Sequence, residues 1–194
     1  MILVLGSAES GVGSALLAKS KGLSVFVSDS SLIEKNYKEL LLKNDIQFEE
    51  NGHEQANKLN VDYVIKSPGI PNTAAIIKQL NHKQIQIISE IEFASKFTDA
   101  TIIGVTGSNG KTTTATIIYE ILKSENIDVD IAGNIGVSFA SKVATSNTKN
   151  YVLELSSFQL DGIIDFNPHI AIMTNLSPDH LDRYNNSFEN YIKS

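Results

Sequence analysis

The stretch that most constrains the fold is residues 104–114, which reads Gly-Val-Thr-Gly-Ser-Asn-Gly-Lys-Thr-Thr-Thr. The apolar run before it, residues 101–105, predicts a buried strand, and residues 115–122 have the apolar spacing of an amphipathic helix. Glycines allow such a loop to turn its backbone N–H groups towards an anion, and the N-terminus of the following helix adds unpaired N–H groups. The stretch therefore predicts a phosphate-binding loop between a strand and a helix.

Two side chains at the end of this loop indicate what it binds. Lys111 can reach the terminal phosphates of a nucleoside triphosphate, and the Thr112 hydroxyl can bind the Mg²⁺ that accompanies them. The strict pattern G-x-x-x-x-G-K-[ST] has glycine at position 105, where this chain has valine, so the loop is a variant. The alternative is a glycine-rich turn that contains Gly-Lys-Thr by chance.

The composition of the whole chain limits the classes of protein to consider. Of 194 residues 42% are hydrophobic, and the net charge is −6 without a block of Lys or Arg, which argues against a nucleic-acid or anionic-membrane surface. The absence of cysteine excludes disulfides, thiolate zinc sites and a cysteine nucleophile. No apolar run approaches the roughly 18 residues of a membrane span, and residues 1–5 are too short for a signal peptide. We expect a cytoplasmic monomer with no membrane or nucleic-acid partner.

A second glycine-rich turn lies near the N-terminus. A predicted strand at residues 2–5, the turn Gly-Ser-Ala-Glu-Ser-Gly-Val-Gly at residues 6–13, a helix at 14–21 and a strand at 23–27 that ends near Asp29 make the opening of a Rossmann-type unit. Ala8 stands where the fingerprint has its second glycine. We expect a ligand phosphate at this turn and a ribose or base near Asp29, and a tight turn with a solvated aspartate is the alternative. The Ser-Pro-Gly-Ile-Pro break at residues 67–71 can line the same pocket or be a plain turn.

The alternation of strands and helices predicts the fold class. Further strands are expected at residues 46–48, 61–65 and 85–88, with helices between them and capping boxes at residues 31–34 and 89–92. The pattern restarts at residue 101, so we predict two domains: a Rossmann-like parallel-sheet domain at residues 1–90 and an incomplete P-loop α/β domain at residues 91–194.

Polar residues at the predicted strand ends of the second unit are the candidates for chemistry. Glu154 lies in the otherwise apolar run Tyr-Val-Leu-Glu-Leu, where an unpaired charge is costly, so a metal ion or a surface position is expected. His180 follows another predicted strand and has Asp179 and Arg183 beside it, which makes it a candidate site residue or a solvated histidine. Asn134, in a loop flanked by glycine, can bind a ligand or adopt a left-handed turn.

Taken together, these segments resemble the Mur ligases, ATP-dependent amino-acid ligases of peptidoglycan precursor synthesis, over essentially the whole chain. The Thr-Gly-Ser-Asn-Gly-Lys-Thr loop is shared across that family. The more specific segments are Glu-Leu-Ser-Ser-Phe-Gln-Leu at residues 154–160 and Asp-His-Leu-Asp-Arg at residues 179–183. The first of these is similar to the branch of the family that adds D-glutamate.

The resemblance implies a set of binding residues. The N-terminal domain would hold the UDP part of the substrate UDP-N-acetylmuramoyl-L-alanine, with Asn134 on the muramoyl side. Ala8 and the acidic Glu9 depart from this pattern in the first turn. The implied substrate-binding residues are Ser10, Gly11, Asp29, Ser30, Ser67, Pro68, Gly69 and Asn134. The implied ATP-binding residues are Gly107, Ser108, Asn109, Gly110, Lys111, Thr112 and Thr113.

The resemblance also implies a reaction. ATP would phosphorylate the substrate carboxylate, and the amine of D-glutamate would attack the acyl phosphate, with Lys111, Glu154 and His180 as catalytic residues and Thr112, Glu154 and His180 at the Mg²⁺ sites. The family uses a carbamylated lysine four residues after a tyrosine that matches Tyr191, which would fall at position 195, beyond this sequence. The third domain of the family, which holds D-glutamate, is also absent from this sequence. We therefore expect a fragment that binds the UDP substrate and does not turn over.

Three other functions fit parts of the sequence. Another Mur-type amino-acid ligase would share the phosphate loop. A NAD-dependent oxidoreductase would explain the first turn and leave the Gly-Lys-Thr loop unexplained. A GTPase or other P-loop module would explain the loop, but a GTPase is expected to carry an Asn/Thr-Lys-x-Asp motif, which this sequence lacks.

Overall fold

The computed structural model describes residues 1–193, in which the strands form two parallel sheets. The first sheet has the order β3-β2-β1-β4-β5, and all of its neighbouring strands are parallel. Its strands are β1 (Ile2–Leu5), β2 (Val25–Ser28), β3 (Gln47–Glu49), β4 (Tyr63–Lys66) and β5 (Gln86–Ser89). The strand order reverses between β1 and β4, and ligands of open α/β sheets bind beyond the carboxyl ends of strands at such a point.

The second sheet has the order β7-β8-β6-β9 and is also parallel throughout. Its strands are β6 (Thr101–Thr106), β7 (Val129–Gly133), β8 (Asn150–Glu154) and β9 (Ile170–Met173). The first sheet ends at Ser89 and the second begins at Thr101, so the sheets divide between these residues. These parallel strands, with helices between them, confirm the predicted α/β class.

Eight α-helices connect the strands within the described residues. They are α1 (Glu9–Ser20), α2 (Lys35–Lys43), α3 (Ala75–His82), α4 (Glu90–Ser95), α5 (Lys111–Ser124), α6 (Phe139–Thr145), α7 (Ser157–Leu160) and α8 (Phe188–Lys193). Short 3₁₀ helices lie at Ala56–Lys58 and Leu181–Tyr184. No helix in the described part of the chain is long and apolar enough to cross a membrane.

The sequence predicted the elements better than their boundaries and caps. Helix α1 begins at Glu9, five residues before the predicted start, because the glycine turn is short and its later residues are already helical. The capping box expected at residues 31–34 is wrong, since α2 begins at Lys35 and has no side-chain cap. The Ser89 cap of α4 is confirmed by its bond from Glu92 N, but the Glu92 carboxylate accepts the backbone N–H groups of residues 164–166 instead of returning to the cap.

The two sheets share a continuous apolar core. Buried residues of β1, β2 and α1 belong to the same cluster as Phe139 of α6 and Tyr151 of β8. These two rings meet edge to face with centroids 5.1 Å apart. Helix α1 of the first unit packs against α6 of the second, and α4, which lies where the sheets divide, also packs against α6.

Candidate nucleotide site

The carboxyl ends of the second sheet bring the candidate residues to one edge. In the strand register, Glu154 at the end of β8 lies opposite Val105 on β6 and opposite Gly133 on β7. The loops that follow β6 and β7 therefore flank the carboxyl end of β8. This is the edge at which ligands of parallel α/β sheets bind.

The phosphate loop uses glycine at position 107 and not at 105. Val105 is fully buried in the core of the second unit, so its side chain is needed there. Gly107 has φ +130°, and a Cβ on it would lie 2.2 Å from Thr174 Oγ1. Gly110 has φ +81° and immediately precedes the first residue of α5, Lys111. The variant loop thus places the N-terminus of α5 at the edge of the sheet, as predicted.

The segment after β9 holds the loop in shape. Thr174 Oγ1 and Asn175 Nδ2 both donate to Asn109 O, at 2.7 and 2.8 Å, and Asn109 N donates to Asn175 Oδ1 at 3.1 Å. The Ser108 hydroxyl donates to Ser177 O and also contacts the Tyr191 hydroxyl. This support was not predicted from the sequence, although two polar residues directly after a strand are a signal for it.

Lys111 lies folded over its own loop. Its Nζ donates to Gly107 O at 2.7 Å and to Ser108 O at 3.0 Å. The ammonium is therefore held at the mouth of the loop, beside the N–H groups at the start of α5. A cation and a helix N-terminus on one side of a loop are suited to an anion that bears several charges.

Glu154 is held from two sides by the neighbouring loops. Its Oε2 accepts a hydrogen bond from Thr112 Oγ1 at 2.7 Å, and its Oε1 accepts one from Asn134 Nδ2 at 2.9 Å. The residue is 2% exposed, so both bonds compensate for the cost of burying the carboxylate. The carboxylate thus faces the phosphate loop. A hydroxyl and a carboxylate are hard oxygen donors, so this pair fits Mg²⁺, which binds few protein oxygens and retains several waters.

His180 is the N-cap residue of the 3₁₀ helix Leu181–Tyr184. It adopts a left-handed conformation (φ 48°) with an exposed side chain, 3.7 Å from Asp179 and with its ring centroid 5.2 Å from that of Phe158. No hydrogen bond joins it to Thr112 or Glu154 in the part of the chain that the structure describes. Residues 1–193 also contain no group of three or more His, Cys, Asp and Glu side chains placed to hold a metal ion.

The first glycine turn is assembled differently. Asp29 Oδ2 accepts both the backbone N–H and the hydroxyl of Ser7, each at 2.7 Å, so the carboxylate holds the turn itself. Ser10 Oγ lies 3.5 Å from Ser67 Oγ, which brings the turn and the Ser-Pro-Gly loop together as expected. Ser30 is exposed. Ser7 was not singled out in the sequence.

Arg183 joins the Ser-Pro-Gly loop to the segment that carries His180. Its guanidinium donates to Pro68 O at 3.1 Å and to Gly69 O at 3.5 Å, and it lies over the Phe158 ring at 4.5 Å. Nearby, burial raises the pKa of the Asp161 carboxyl, while burial and then the Arg183 charge lower the pKa of Lys66. The candidate ligand loops of the two units are thus in contact through one cation.

A phosphate loop with its lysine and a buried carboxylate, beside a second glycine turn on a Rossmann-ordered sheet, defines an α/β nucleotide-binding protein of two units. Residues 105–194 match the family model of the Mur ligase middle domain, and residues 2–76 match that of the MurD N-terminal domain. The chain belongs to the Mur ligase family.

Relatives with known names support this assignment. The chain is 52% identical over 191 residues to UDP-N-acetylmuramoylalanine–D-glutamate ligase of Bacteroides thetaiotaomicron, covering 98% of this chain and 43% of that protein. It is 53% identical over 193 residues to the enzyme of the same name from Porphyromonas gingivalis, covering 100% of this chain and 43% of that protein. The chain therefore spans less than half the length of the curated relatives it matches.

Solved structures of the family share the fold. The UDP-N-acetylmuramate:L-alanyl-gamma-D-glutamyl-meso-diaminopimelate ligase from Neisseria meningitides superposes with a TM-score of 0.63 at 20% identity, over 98% of this chain and 65% of that one. UDP-N-acetylmuramate-alanine ligase from Thermotoga maritima superposes with a TM-score of 0.61 at 25% identity, over 99% of this chain and 45% of that one.

Proposed function

We propose that this chain forms the first two domains of an ATP-dependent ligase that adds D-glutamate to UDP-N-acetylmuramoyl-L-alanine. The observation that carries the proposal is the Glu154 carboxylate, buried beside the phosphate loop and bonded to both Thr112 and Asn134. The relatives named for this reaction, at about half identity over the chain, support the choice of amino acid. We place the domain boundary near residue 90, between the two sheets, and the protein in the cytoplasm as a monomer.

In this proposal, the phosphate loop binds ATP. The ATP phosphates lie against the N–H groups at the start of α5, and the Lys111 ammonium leaves the loop carbonyls to neutralise their charge. The proposed ATP-binding residues run from Gly107 to Thr113. Thr112 and Glu154 would hold Mg²⁺, which supplies charge neutralisation for the transferred phosphoryl group. We keep His180 as a residue of a second metal site.

The first unit binds the UDP part of the substrate in the proposal. The order reversal between β1 and β4 places the first turn, with Ser10 and Gly11, beside the Ser67–Gly69 loop. Asp29 and Ser30 follow β2 on the uridine side. The substrate carboxylate then reaches the second unit, where positioning against ATP is the main contribution to rate, because two bound reactants held in line need no encounter.

The decisive test is activity in a longer protein. A version that continues past Ser194 into the sequence of a full-length relative, such as the Bacteroides thetaiotaomicron protein, is expected to form ADP only when D-glutamate and UDP-N-acetylmuramoyl-L-alanine are both present. ADP formation with L-alanine or a diamino acid in place of D-glutamate would move the assignment to another Mur-type ligase. The 194-residue chain is expected to form none.

Ligand binding by the 194-residue chain distinguishes the other classes of protein. A ligand of the native state raises the melting temperature. UDP-N-acetylmuramoyl-L-alanine is expected to raise it, while NAD and GTP leave it unchanged. Stabilisation by NAD alone would indicate an oxidoreductase, and stabilisation by GTP alone would indicate a GTPase module.

A further inference from the structure

The Glu9 side chain makes the longest-range polar contact of the first glycine turn. Its Oε1 accepts the backbone N–H of Ser138 at 3.0 Å and the hydroxyl of Ser141 at 3.1 Å, across separations of 129 and 132 residues. Ser138 is the N-cap of α6. The acidic residue in the first turn therefore binds the start of a helix in the other unit.

The packing of α1 on α6 is shaped for this contact. A Cβ on Gly13 would lie 2.3 Å from Ser138 Oγ and 2.4 Å from Ser141 Oγ, so only glycine allows the helices to approach this closely. A second carboxylate reaches the same helix end, because Glu90 of α4 accepts the backbone N–H of Ala140. Carboxylates at a helix N-terminus satisfy its unpaired N–H groups and complement its dipole.

The loop that leads into α6, residues 133–137, also contacts the candidate site. Asn134 N donates to Glu154 O at 2.8 Å, and Asn134 Nδ2 donates to Glu154 Oε1 at 2.9 Å. Gly133 N donates to Val137 O, which closes residues 133–137 into a compact loop. Only three residues separate Asn134 from Ser138, so a shift of the α6 N-terminus must move Asn134 or strain this loop.

We propose that Glu9 is a positioning residue that holds the start of α6, and through it keeps the Asn134 amide on the Glu154 carboxylate. This inference rests on the proposed function for the roles of Asn134 and Glu154, and it links the substrate turn of one unit to the metal-binding carboxylate of the other. Glu9 acts through Ser138 and the loop at residues 133–137, and it touches neither substrate nor metal.

The test is amide hydrogen exchange and the side-chain amide resonance of Asn134, measured by NMR on the 194-residue chain without ligand. In Glu9→Ala we expect exchange at Asn134 and Ser138 to be about fivefold faster, the effect of losing a typical hydrogen bond, with a shifted Asn134 side-chain signal. Glu9→Gln retains an oxygen that accepts the same bonds and is expected to restore both readouts. Ser141→Ala removes one partner from the α6 side and is expected to give a smaller change in the same direction.

Several results would overturn the inference. In the first, Ser138 exchanges faster in Glu9→Ala, but the side-chain signal and the exchange rate of Asn134 do not change. This result would confine the effect to the start of α6. Another is equally faster exchange in β1, which would show a loss of global stability only. A third is a Glu9→Gln protein that behaves like Glu9→Ala. If Glu9→Ala does not fold, Ser141→Ala decides, and an unchanged Asn134 signal there sinks the inference. Because no ligand is present, these results do not depend on whether the chain binds ATP or the UDP substrate.

Discussion

The two glycine turns of this protein follow the same strand-turn-helix plan but differ in how much space they leave. In the first turn, a Cβ on Gly11 would lie 2.0 Å from Gly6 O, so strand and helix are in direct backbone contact. In the second, a Cβ on Gly107 would also meet a neighbour, Thr174 Oγ1, but nothing lies within 4 Å of the Cβ position on Gly110, which is exposed. The two turns therefore differ at the start of the helix, which is closely packed at Gly11 and open at Gly110.

The two turns also differ in the charged side chains that surround them. Asp29 and Glu9, the acids near the first turn, both accept hydrogen bonds from other parts of the protein. The second turn has Lys111 at its mouth and Glu154 against Thr112. Under the proposed function, a diphosphate at the first turn would meet backbone N–H groups, and a triphosphate at the second would meet Lys111 and the Thr112–Glu154 pair.

The largest expected effect comes from removing that cation. We expect Lys111→Ala in the longer, active protein to lower ADP formation about 1000-fold, because the charge on the transferred phosphoryl group loses its protein counter-charge. The affinity for UDP-N-acetylmuramoyl-L-alanine, measured by calorimetry, should not change. Lys123→Ala, on the exposed far end of the same helix, is the matched control and should behave as wild type. Loss of UDP-substrate affinity in Lys111→Ala would contradict the assignment of the UDP substrate to the first turn and of ATP to the second.

The closed and open turns should respond very differently to one added methyl group. Gly11→Ala is expected to lower the free energy of unfolding by about 3 kcal/mol, since its Cβ meets the Gly6 carbonyl and no flexible side chain can yield. In Gly110→Ala the added Cβ meets no neighbouring atom, so the free energy of unfolding falls only by the cost of the left-handed conformation, about 1 kcal/mol. Urea unfolding of the two variants measures the difference. Equal losses would mean that the first turn is not held by close backbone packing.

The sequence predicted those parts of the site whose signals are local. The phosphate loop, Lys111 and Glu154 are each recognisable from a few neighbouring residues, since an apolar strand, a glycine turn and a helix follow one another directly. The strand at residues 2–5 and the parallel α/β class were predicted for the same reason. The closed first turn was not, because a helix start at Glu9 depends on the fit of Gly11 against Gly6.

Contacts between distant segments could not be predicted. Glu9 bonds a helix 129 residues away, and nothing in its neighbourhood distinguishes it from a solvated acid. Glu92 looked like one half of a capping box, yet its carboxylate gathers three N–H groups more than 70 residues further on. Such outcomes depend on how helices pack, which a local pattern does not contain.

The roles of Glu154 and Asp29 can be distinguished by how the activity of their variants depends on Mg²⁺. Glu154→Gln keeps the size and one acceptor for Thr112 but loses the charge, so we expect about a 100-fold loss of ADP formation that added Mg²⁺ partly restores. Asp29→Asn, the corresponding change at the first turn, should weaken UDP-substrate binding and leave the Mg²⁺ dependence as in wild type. A Mg²⁺ titration of initial rates checks both. Equal Mg²⁺ dependence in all three proteins would contradict a metal role for Glu154.

The smallest expected effect concerns Glu90, a buried acid near Glu9 of the first turn. Burial raises the pKa of Glu90 to about 7, the nearby Glu9 adds to the rise, and the backbone N–H groups of Ala140 and Phe139 oppose it. Within residues 1–193, Glu90 Oε2 has no hydrogen-bond partner. An unfolded glutamate has a pKa near 4.5, so the folded protein binds the extra proton between about pH 4.5 and 7. The contribution of Glu90 to stability is therefore full below this window and is lost as pH rises through it.

Glu90→Gln cannot ionise, and its oxygen can still accept the Ala140 N–H. We expect the variant to be more stable than wild type at pH 8 by about 1–2 kcal/mol, and to show no advantage at pH 5, where the wild-type carboxyl is mostly protonated in the fold. Urea midpoints at the two pH values measure this, with the exposed Glu39→Gln as the control that should change neither. An advantage of equal size at both pH values would mean that Gln improves packing and that Glu90 ionises without cost. The first turn would then tolerate buried negative charge, and the contrast with the cation-bearing second turn would be one of shape alone.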